Sequence, residues 1–248
     1  MEPRYHRKLW EYGFILQMLW EAEMLRPGRQ GLGFAVGTEI LPAFLAAHGV
    51  EVLATDLPAG DARAMDWHSH QQHASSPEAL FRPELVDRAA FDEHCLFQPL
   101  DMNAIPPALN GRFDFCWSAC AMEHLGSVEH GLAFLEASLR CLKPGGIAVH
   151  TTELNLDSLN GGIDNWPTVL FGKAHFAQAA ARLAAAGHQL LPICWETGSD
   201  ILDLYVDVPP FPHQHGLLLP YPEVPHLRLA VDGFPATSIG IVIRAGVA

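Results

Sequence analysis

Apolar side chains recur every three or four residues in several stretches of the chain, which is the spacing of an amphipathic helix. This pattern predicts an N-terminal helix over residues 7–25. It predicts a second helix over residues 40–49, ending at a glycine, and a third over residues 128–142, stopped by Lys-Pro-Gly-Gly. An alanine-rich fourth helix is predicted over residues 174–188.

Strand patterns lie between these helices. Runs of apolar residues, several of them β-branched and some alternating with polar positions, predict strands. After the glycine-rich stretch near residue 33, the predicted strands cover residues 50–56, 96–102, 113–118, 147–152, the apolar run 190–195, and 238–244. Strands that alternate with helices predict an α/β fold, in which a doubly wound, mostly parallel sheet carries helices on both faces.

Two connections are longer than this fold needs. Residues 57–95 join two predicted strands, and residues 196–237, which are rich in proline, join the last two. Long connections in a compact domain are usually functional, often as lids or binding walls. We therefore expect residues 196–237 to form a wall on the substrate side of a binding site.

Composition narrows the classes of partner. The formal net charge of −13 disfavours binding to a nucleic acid, whose phosphates are also negative. No apolar run approaches the ~20 residues needed to span a bilayer, so we expect no membrane partner. The N-terminal stretch lacks the apolar core of a secretion signal, and the five cysteines form no Cys-x-x-Cys pair. These features predict a cytoplasmic protein with free thiols.

The glycine-rich stretch is the first candidate ligand site. Gly33 and Gly37 flank Ala35, and Asp56 follows Gly37 by 19 residues at the end of a predicted strand. Such glycines let the backbone approach a ligand, and such an acid can accept hydrogen bonds from ribose hydroxyls. Val36 takes the last glycine position of the dinucleotide fingerprint, so NAD(P) fits poorly. We expect ordinary dihedrals at Ala35, because a β-carbon disfavours positive φ. A tight strand–helix turn without a ligand is the alternative.

The order of motifs resembles the class I S-adenosylmethionine-dependent methyltransferases over residues 30–195. The motifs are "GFAVG", "ATDL", "LDM", "FDFCWSACAMEHL" and "LKPGGIAVH". The resemblance implies a Rossmann-like sheet of seven strands whose last strand is antiparallel. It also implies S-adenosylmethionine as cofactor and a set of cofactor-binding residues: Gly33, Ala35, Gly37, Asp56, Leu57, Asp101, Met102, Ser118 and Ala119.

The resemblance also implies a single methyltransferase domain made of four parts. These are an N-terminal helix within residues 1–28, a cofactor-binding core over residues 29–195, an inserted substrate-side segment over residues 196–237, and the last strand within residues 238–248.

Candidate catalytic residues follow the fourth and fifth strands, since ligands bind beyond the carboxyl ends of strands in these sheets. We predict His150 as a general base, because imidazole titrates near neutrality, and Glu153 as the group that orients it. Glu123 and His124 are predicted to bind substrate. A histidine inside the strand, satisfied by its neighbours, is the alternative for His150.

The candidate catalytic and substrate-binding side chains could instead bind a divalent metal, because imidazole and carboxylate both ligate metals. Glu123, His124, His150 and Glu153 would supply the ligands, although the sequence does not show that they converge. His68, His70 and His73 are spaced like ligands too, but the polar residues between them are more typical of a loop.

The predicted function is methyl transfer from S-adenosylmethionine to a hydroxyl of a small molecule or saccharide. The saccharide part comes from the late blocks "DLYVDVPPF" and "SIGIVIR", which weakly resemble glycan-modifying methyltransferases. An N-methyltransferase, an NAD(P)-dependent reductase and a non-catalytic adenosine-binding module are the alternatives. Against the reductase, the sequence lacks the Tyr-x-x-x-Lys motif that short-chain reductases use as a proton relay. Oligomeric state stays open.

Overall fold

The computed structural model describes residues 5–64, 72–157, 162–209, 211 and 224–247. Its helices are α1 (Arg7–Glu21), α2 (Leu41–Ala47), α3 (Arg88–His94), α4 (Val128–Arg140), α5 (Lys173–Ala185) and α6 (Ile201–Leu204). Its strands are β1 (Gln30–Gly33), β2 (Glu51–Asp56), β3 (Cys95–Pro99), β4 (Phe113–Ala119), β5 (Leu142–Asn155), β6 (Gln189–Leu190), β7 (Val206–Asp207), β8 (Arg228–Val231) and β9 (Phe234–Arg244).

The strands form one mixed sheet in the order β3-β2-β1-β4-β5-β9-β8-β7, with β6 also paired to β9. The first five strands of the path run parallel, and β9 runs antiparallel to β5. This confirms the predicted fold class. The predicted count of seven strands is too low, since the described sheet has nine. The two extra strands, β7 and β8, come from the segment 196–237, which the sequence analysis treated as a connection.

Helices cover both faces of the sheet, as predicted. Side chains of α1, α2 and α3 pack in one apolar cluster, whereas those of α4 and α5 pack in another. Strand β5 shows that the clusters lie on opposite faces. Ile147 and Val149 belong to the first cluster, and Ala148 between them belongs to the second. Successive side chains of a strand point to opposite faces, so the sheet separates the two cores.

Several element boundaries differ from prediction. Helix α1 ends at Glu21 rather than residue 25, because Glu23 adopts a positive φ of 59°. Strand β3 ends at Pro99, which places Asp101 in the turn beyond it. Strand β9 begins at Phe234, four residues early, because its start pairs with β8. No described helix is long and apolar enough to cross a membrane.

Candidate active site

A cavity opens where the parallel strands end. Its empty space, counted together with the open mouth, is about 620 Å³. The described residues that line it are Ala35, Gly37, Asp56, Leu57, Arg63, Gln72, Leu100, Asp101, Met102, Cys120, Ala121, His124 and Leu125. Six of the predicted cofactor-binding residues and the predicted substrate residue His124 therefore meet in one cavity.

The turn after β1 forms one wall of this cavity. The backbone N–H of Val36 donates to the carbonyl of Thr55 (3.0 Å), which ties the turn to β2. Ala35 has a φ of 47° and Gly37 a φ of 53°. The expectation of ordinary dihedrals at Ala35 was therefore wrong. The tight turn imposes the left-handed conformation, which costs an alanine roughly 1–2 kcal/mol.

A different steric contact requires glycine at each of the two glycine positions of the turn. A β-carbon at Gly37 would lie 2.4 Å from the carbonyl oxygen of Gln72, so the turn and the following loop approach closely there. A β-carbon at Gly33 would lie 2.5 Å from the ring of Trp117. Gly33 was predicted to bind the cofactor, but it is not among the cavity residues and instead makes room for Trp117.

Asp56 joins the turn to the loop after β2. Its Oδ2 accepts hydrogen bonds from the backbone N–H groups of Gly37 (3.1 Å) and Ala74 (3.0 Å), and its Oδ1 accepts one from Leu57 (2.8 Å). Burial raises the pKa of Asp56, although these bonds oppose the shift. A carboxylate oxygen has two lone pairs, so Oδ2 is filled and Oδ1 has one left. Asp56 thus has capacity for one ribose hydroxyl rather than the two that the sequence suggested.

Asp101 and Arg63 stand at the other end of the cavity. A guanidinium nitrogen of Arg63 lies 2.8 Å from Asp101 Oδ2 and 2.6 Å from Asp61 Oδ2. Asp101 Oδ1 accepts from the backbone N–H of Asn103 (2.9 Å). Arg63 was missed by the sequence analysis, because it lies in a loop without any motif.

The lining fits a nucleoside. Two carboxylates, Asp56 and Asp101, suit hydroxyl and amino donors, while Leu57, Leu100 and Met102 give apolar surface for a flat ring. The residues present are thus compatible with the adenosine part of a cofactor.

His150 lies away from this cavity and is fully buried within β5. Its Nδ1 accepts from the Ser118 hydroxyl (2.8 Å), and its Nε2 lies 3.4 Å from the Ser138 hydroxyl, which itself donates to the Leu135 carbonyl. Burial lowers the pKa of His150 to about 3. Both ring nitrogens are engaged inside the protein, so this geometry contradicts the prediction of a general base. Ser118, predicted to bind cofactor, is likewise a buried partner of this histidine.

The buried His150 has a consequence for acid stability. Its folded pKa of about 3 lies below its ordinary value of 6.5, so the unfolded chain binds the proton more readily between these pH values. We expect the free energy of unfolding to fall by up to ~1.4 kcal/mol per pH unit below pH 6.5 on account of this residue. Urea unfolding at pH 7, 6 and 5 should show a shallower fall for His150→Gln than for wild type. Equal slopes would contradict this account.

Glu123 and His124 form a short 3₁₀ turn, Met122–His124, directly after β4. His124 Nδ1 lies 3.2 Å from the carbonyl oxygen of Pro167. The Thr168 hydroxyl lies 3.3 Å from the same nitrogen. We assign the hydrogen to Nδ1, because the carbonyl can only accept and the hydroxyl oxygen can accept as well, which places the lone pair of the neutral ring on Nε2. Burial lowers the pKa of His124, which keeps the ring neutral at pH 7.

An ionic cluster lies beside Cys120, in which the carboxylates are buried and the side chains of Arg7 and Lys8 are 15% and 34% exposed. It joins Arg7 and Lys8 of α1 to carboxylates: Arg7 lies 2.7 Å from Glu153, and Lys8 lies 2.8 Å from Glu11. Lys8 also donates to the carbonyl of Ala119 (2.9 Å). Ala119, predicted to bind cofactor, therefore contacts α1 and is not among the cavity residues.

The cluster also bears on the predicted catalytic pair. Glu153 is 3% exposed and pairs with Arg7 rather than with His150.

Among the residues that the structure describes, no group of three or more His, Cys, Asp or Glu side chains could hold a metal ion. His68 and His70 lie outside the described residues. His73 Nε2 contacts the Leu57 carbonyl at 2.9 Å.

Comparison with known families and structures decides between the alternatives left open above. A family model described as "Methyltransferase domain" matches residues 32–150. These residues run from β1 through most of the cavity lining to the middle of β5. Residues 32–150 therefore form a methyltransferase domain, and the chain is an S-adenosylmethionine-dependent methyltransferase. Its cofactor is therefore S-adenosylmethionine, as predicted, and methyl transfer replaces the reductase and non-catalytic alternatives.

Solved structures share the fold at low sequence identity. A proposed sarcosine dimethylglycine methyltransferase from Galdieria sulphuraria aligns with a TM-score of 0.57 and 15% identity over 97% of this chain and 85% of its own. A methyltransferase from Methanosarcina mazei aligns with a TM-score of 0.54 and 10% identity over 92% and 98%. SpnF, a cyclase, aligns with a TM-score of 0.57 and 18% identity over 94% and 81%. A search of curated protein sequences finds no match.

Proposed function

We propose that this methyltransferase transfers the methyl group to a hydroxyl of a small molecule, and that the acceptor is a saccharide. The observation that carries the hydroxyl assignment is His124, a neutral imidazole in the cavity wall whose Nδ1–H is held by the Pro167 carbonyl. A protonated hydroxyl is a poor nucleophile and needs a base as the methyl group arrives. A neutral amine needs none.

In this proposal the cavity residues hold the cofactor as follows. The turn Ala35–Gly37 lies against the methionine end, Asp56 accepts one ribose hydroxyl, and Asp101 with Met102 contacts the adenine. When bound, S-adenosylmethionine supplies an electrophilic methyl group on a sulfonium. The chain's own task is to align the acceptor with that methyl group, since alignment supplies much of the rate enhancement in such displacements.

His124 has the chemistry required of the base. In the tautomer with the hydrogen on Nδ1, the lone pair lies on Nε2, and the lowered pKa of the ring favours this neutral form at neutral pH. The proton removed from the acceptor hydroxyl would go to Nε2 and leave as bulk solvent re-enters the cavity. In this assignment His124 takes the role that the sequence analysis gave to His150.

We further propose that segment 196–237 forms part of the acceptor side. Its described part extends the sheet from β9 through β8 to β7. It also exposes large apolar side chains: Ile201 (84%), Leu204 (54%) and Val208 (58%). Apolar surface of this kind suits the faces of a sugar ring. The weak resemblance of this segment to glycan-modifying methyltransferases supports the same assignment.

An acceptor screen with isotopically labelled S-adenosylmethionine tests the proposed function. The panel should pair neutral sugars with amines, including sarcosine and dimethylglycine, with mass spectrometry to locate the methyl group. We expect a methyl ether on a sugar hydroxyl. Methylation of amines alone would contradict the hydroxyl assignment while leaving the enzyme class intact, and a methyl ether on a non-sugar alcohol would contradict the saccharide part alone.

A further inference from the structure

The ionic cluster beside Cys120 is built from four parts of the chain. Helix α1 supplies Arg7, Lys8 and Glu11, the turn after β4 supplies Glu123, and β5 supplies Glu153. Strand β9 contributes Ser238, whose hydroxyl donates to Glu11 Oε1 (2.6 Å). Thr152 of β5 donates to Glu123 Oε2 (2.9 Å). Most of the polar atoms in the cluster thus have defined partners.

Four buried atoms of the cluster are exceptions: Arg7 Nε, Glu11 Oε2, Glu123 Oε1 and Glu153 Oε2 have no hydrogen-bond partner among the described residues. Glu11 Oε2 lies 2.8 Å from the Lys8 ammonium, which leaves the Arg7 donor and the oxygens of Glu123 and Glu153. Glu123 Oε1 and Glu153 Oε2 accept no hydrogen bond from any described residue. Glu123 is 0% exposed and Glu153 is 3% exposed, so bulk water does not reach them in this conformation. A buried oxygen without a donor is costly, and such atoms in folded proteins usually have an ordered water or a ligand as partner. The two oxygens therefore point to a missing hydrogen-bond partner that can both donate and accept, as a hydroxyl does.

The charge of the cluster indicates what kind of donor fits. Arg7 and Lys8 carry two positive charges, and Glu11, whose pKa is lowered to about 2, pairs with Lys8. Glu153 pairs with Arg7. Burial and the nearby Glu153 raise the pKa of Glu123 to about 8, which favours its neutral form. Thr152 donates to Oε2, so the proton of the neutral carboxyl lies on Oε1, which then donates a hydrogen bond. The cluster is then balanced, and a neutral hydroxyl would bind without disturbing that balance, whereas an ammonium group would leave a buried excess charge.

The cluster adjoins the cavity at Cys120. Cys120 lines the cavity, and its Sγ lies 3.4 Å from a guanidinium nitrogen of Arg7. His124 lines the cavity as well and follows Glu123 directly in the same short turn. A molecule whose reacting hydroxyl lies beside His124 would need to extend only past Cys120 to reach the cluster.

We propose that Glu123 and Glu153 form an acceptor-recognition site, which binds hydroxyl groups of a neutral polyol next to the hydroxyl that is methylated. This inference rests on the proposed function and specifies its substrate class. Arg7 and Lys8 are positioning residues in this site: they hold Glu153 and the end of β4 in place, and Arg7 also contacts Cys120. The sequence analysis named both carboxylates, but did not connect them to α1.

Calorimetry with the full-length protein saturated with S-adenosylhomocysteine tests the site without turnover. The probes are neutral methyl glycosides of glucose, mannose and rhamnose, with glucosamine as the cationic counterpart. We expect wild type to bind a neutral glycoside more tightly than glucosamine. Glu123→Gln and Glu153→Gln should each weaken that binding by about tenfold or more, because Glu153→Gln loses a carboxylate oxygen that accepts from a hydroxyl and Glu123→Gln loses a carboxyl O–H that donates to one.

Glu39→Gln is the matched control. Glu39 is also a buried carboxyl, but it accepts from Trp117 Nε1 (2.7 Å) and is not part of the cluster. It should leave glycoside binding unchanged. All variants should bind S-adenosylhomocysteine like wild type, which also shows that they are folded.

Three outcomes would overturn the inference. Unchanged glycoside affinity in both cluster variants would mean that Glu123 and Glu153 satisfy each other by sharing a proton. A preference for glucosamine would mean that the site selects a cation, and binding of no neutral probe by wild type would exclude the polyol class. The proposed function is judged separately, by methyl transfer in wild type. A sugar methyl ether formed at equal rates by wild type and both variants would preserve it and remove this inference.

Discussion

Asp56→Ala should weaken S-adenosylhomocysteine binding by roughly 10–100-fold or more. A charge-assisted hydrogen bond contributes ~1.5–3 kcal/mol, and ~1.4 kcal/mol corresponds to a factor of ten. That estimate covers only the one ribose hydroxyl for which Asp56 Oδ1 has capacity. The same substitution also removes the acceptor of three backbone N–H groups, those of Gly37, Leu57 and Ala74. The cavity wall should therefore loosen as well, which adds to the loss.

Calorimetry with S-adenosylhomocysteine measures this effect, and Asp61→Ala is its control. Asp61 lies near the same cavity but bonds within its own loop, to Arg63. Removing it should change the affinity little. A folded Asp56→Ala protein with wild-type affinity would show that Asp56 fastens the turn to the loop and does not bind the cofactor.

Asp56→Asn separates the two roles of this carboxylate. The amide keeps one oxygen but replaces the other with a donor, which cannot accept from backbone N–H groups. If the remaining oxygen stays with Gly37 and Ala74, the ribose bond is lost while the loop is held. We expect an affinity between those of wild type and Asp56→Ala, with a smaller loss of thermal stability than in the alanine variant.

The fold class could be predicted from the sequence because the spacing of apolar residues in each helix and strand is a local pattern. The apolar spacing of α1, α4 and α5 and the alternating strands each depend on neighbouring residues, and the order of motifs indicated the direction of the sheet. Strand β7 was missed because it has only two residues and depends on pairing with β8. Strand β8 has four residues and joins β9 through the two-residue turn Asp232-Gly233, a local hairpin signal that the sequence analysis overlooked.

The error at His150 shows what a sequence pattern leaves undetermined. The motif "LKPGGIAVH" suggested a strand ending near this residue. Instead, β5 continues to Asn155, because β9 pairs with it from Ile147 to Asn155. The length of a strand depends on its partner, which lies almost a hundred residues away. The pairing buries His150 under Phe134, and leaves Glu153 rather than His150 near the end of the strand.

The role of α1 could have been inferred more fully. The buried side of this helix consists of Glu11, Ile15 and Leu19, at successive i+4 positions. A carboxylate in an otherwise apolar stripe requires a buried partner. That signal was present in the sequence, but its partners, Lys8 on the same helix and Ser238 on β9, became clear only from the structure. Likewise, the positive φ of Ala35 depends on the geometry of the whole turn.

His124→Ala should lower kcat for a hydroxyl acceptor by about 10²–10⁴-fold, which is the usual contribution of a general base. The affinity for S-adenosylhomocysteine should change little, since the proton acceptor acts on the other substrate. The matched control is His150→Gln: it removes a buried imidazole that lies outside the cavity, so it should reduce stability but leave kcat of the folded enzyme close to wild type.

The pH profile distinguishes a base from a structural histidine at position 124. Burial lowers the pKa of His124 below 6.5, so the neutral, proton-accepting form predominates at pH 7 and is lost only in more acidic solution. Wild-type kcat should thus be flat near neutrality and fall below pH 6.5, whereas His124→Ala should lack this acid limb and gain rate at high pH, where hydroxyls ionise more readily. With an amine acceptor, His124→Ala should be nearly harmless at high pH, because a neutral amine is already nucleophilic. A folded His124→Ala enzyme within about threefold of wild type across pH 6–9 on a hydroxyl acceptor would remove His124 from the reaction.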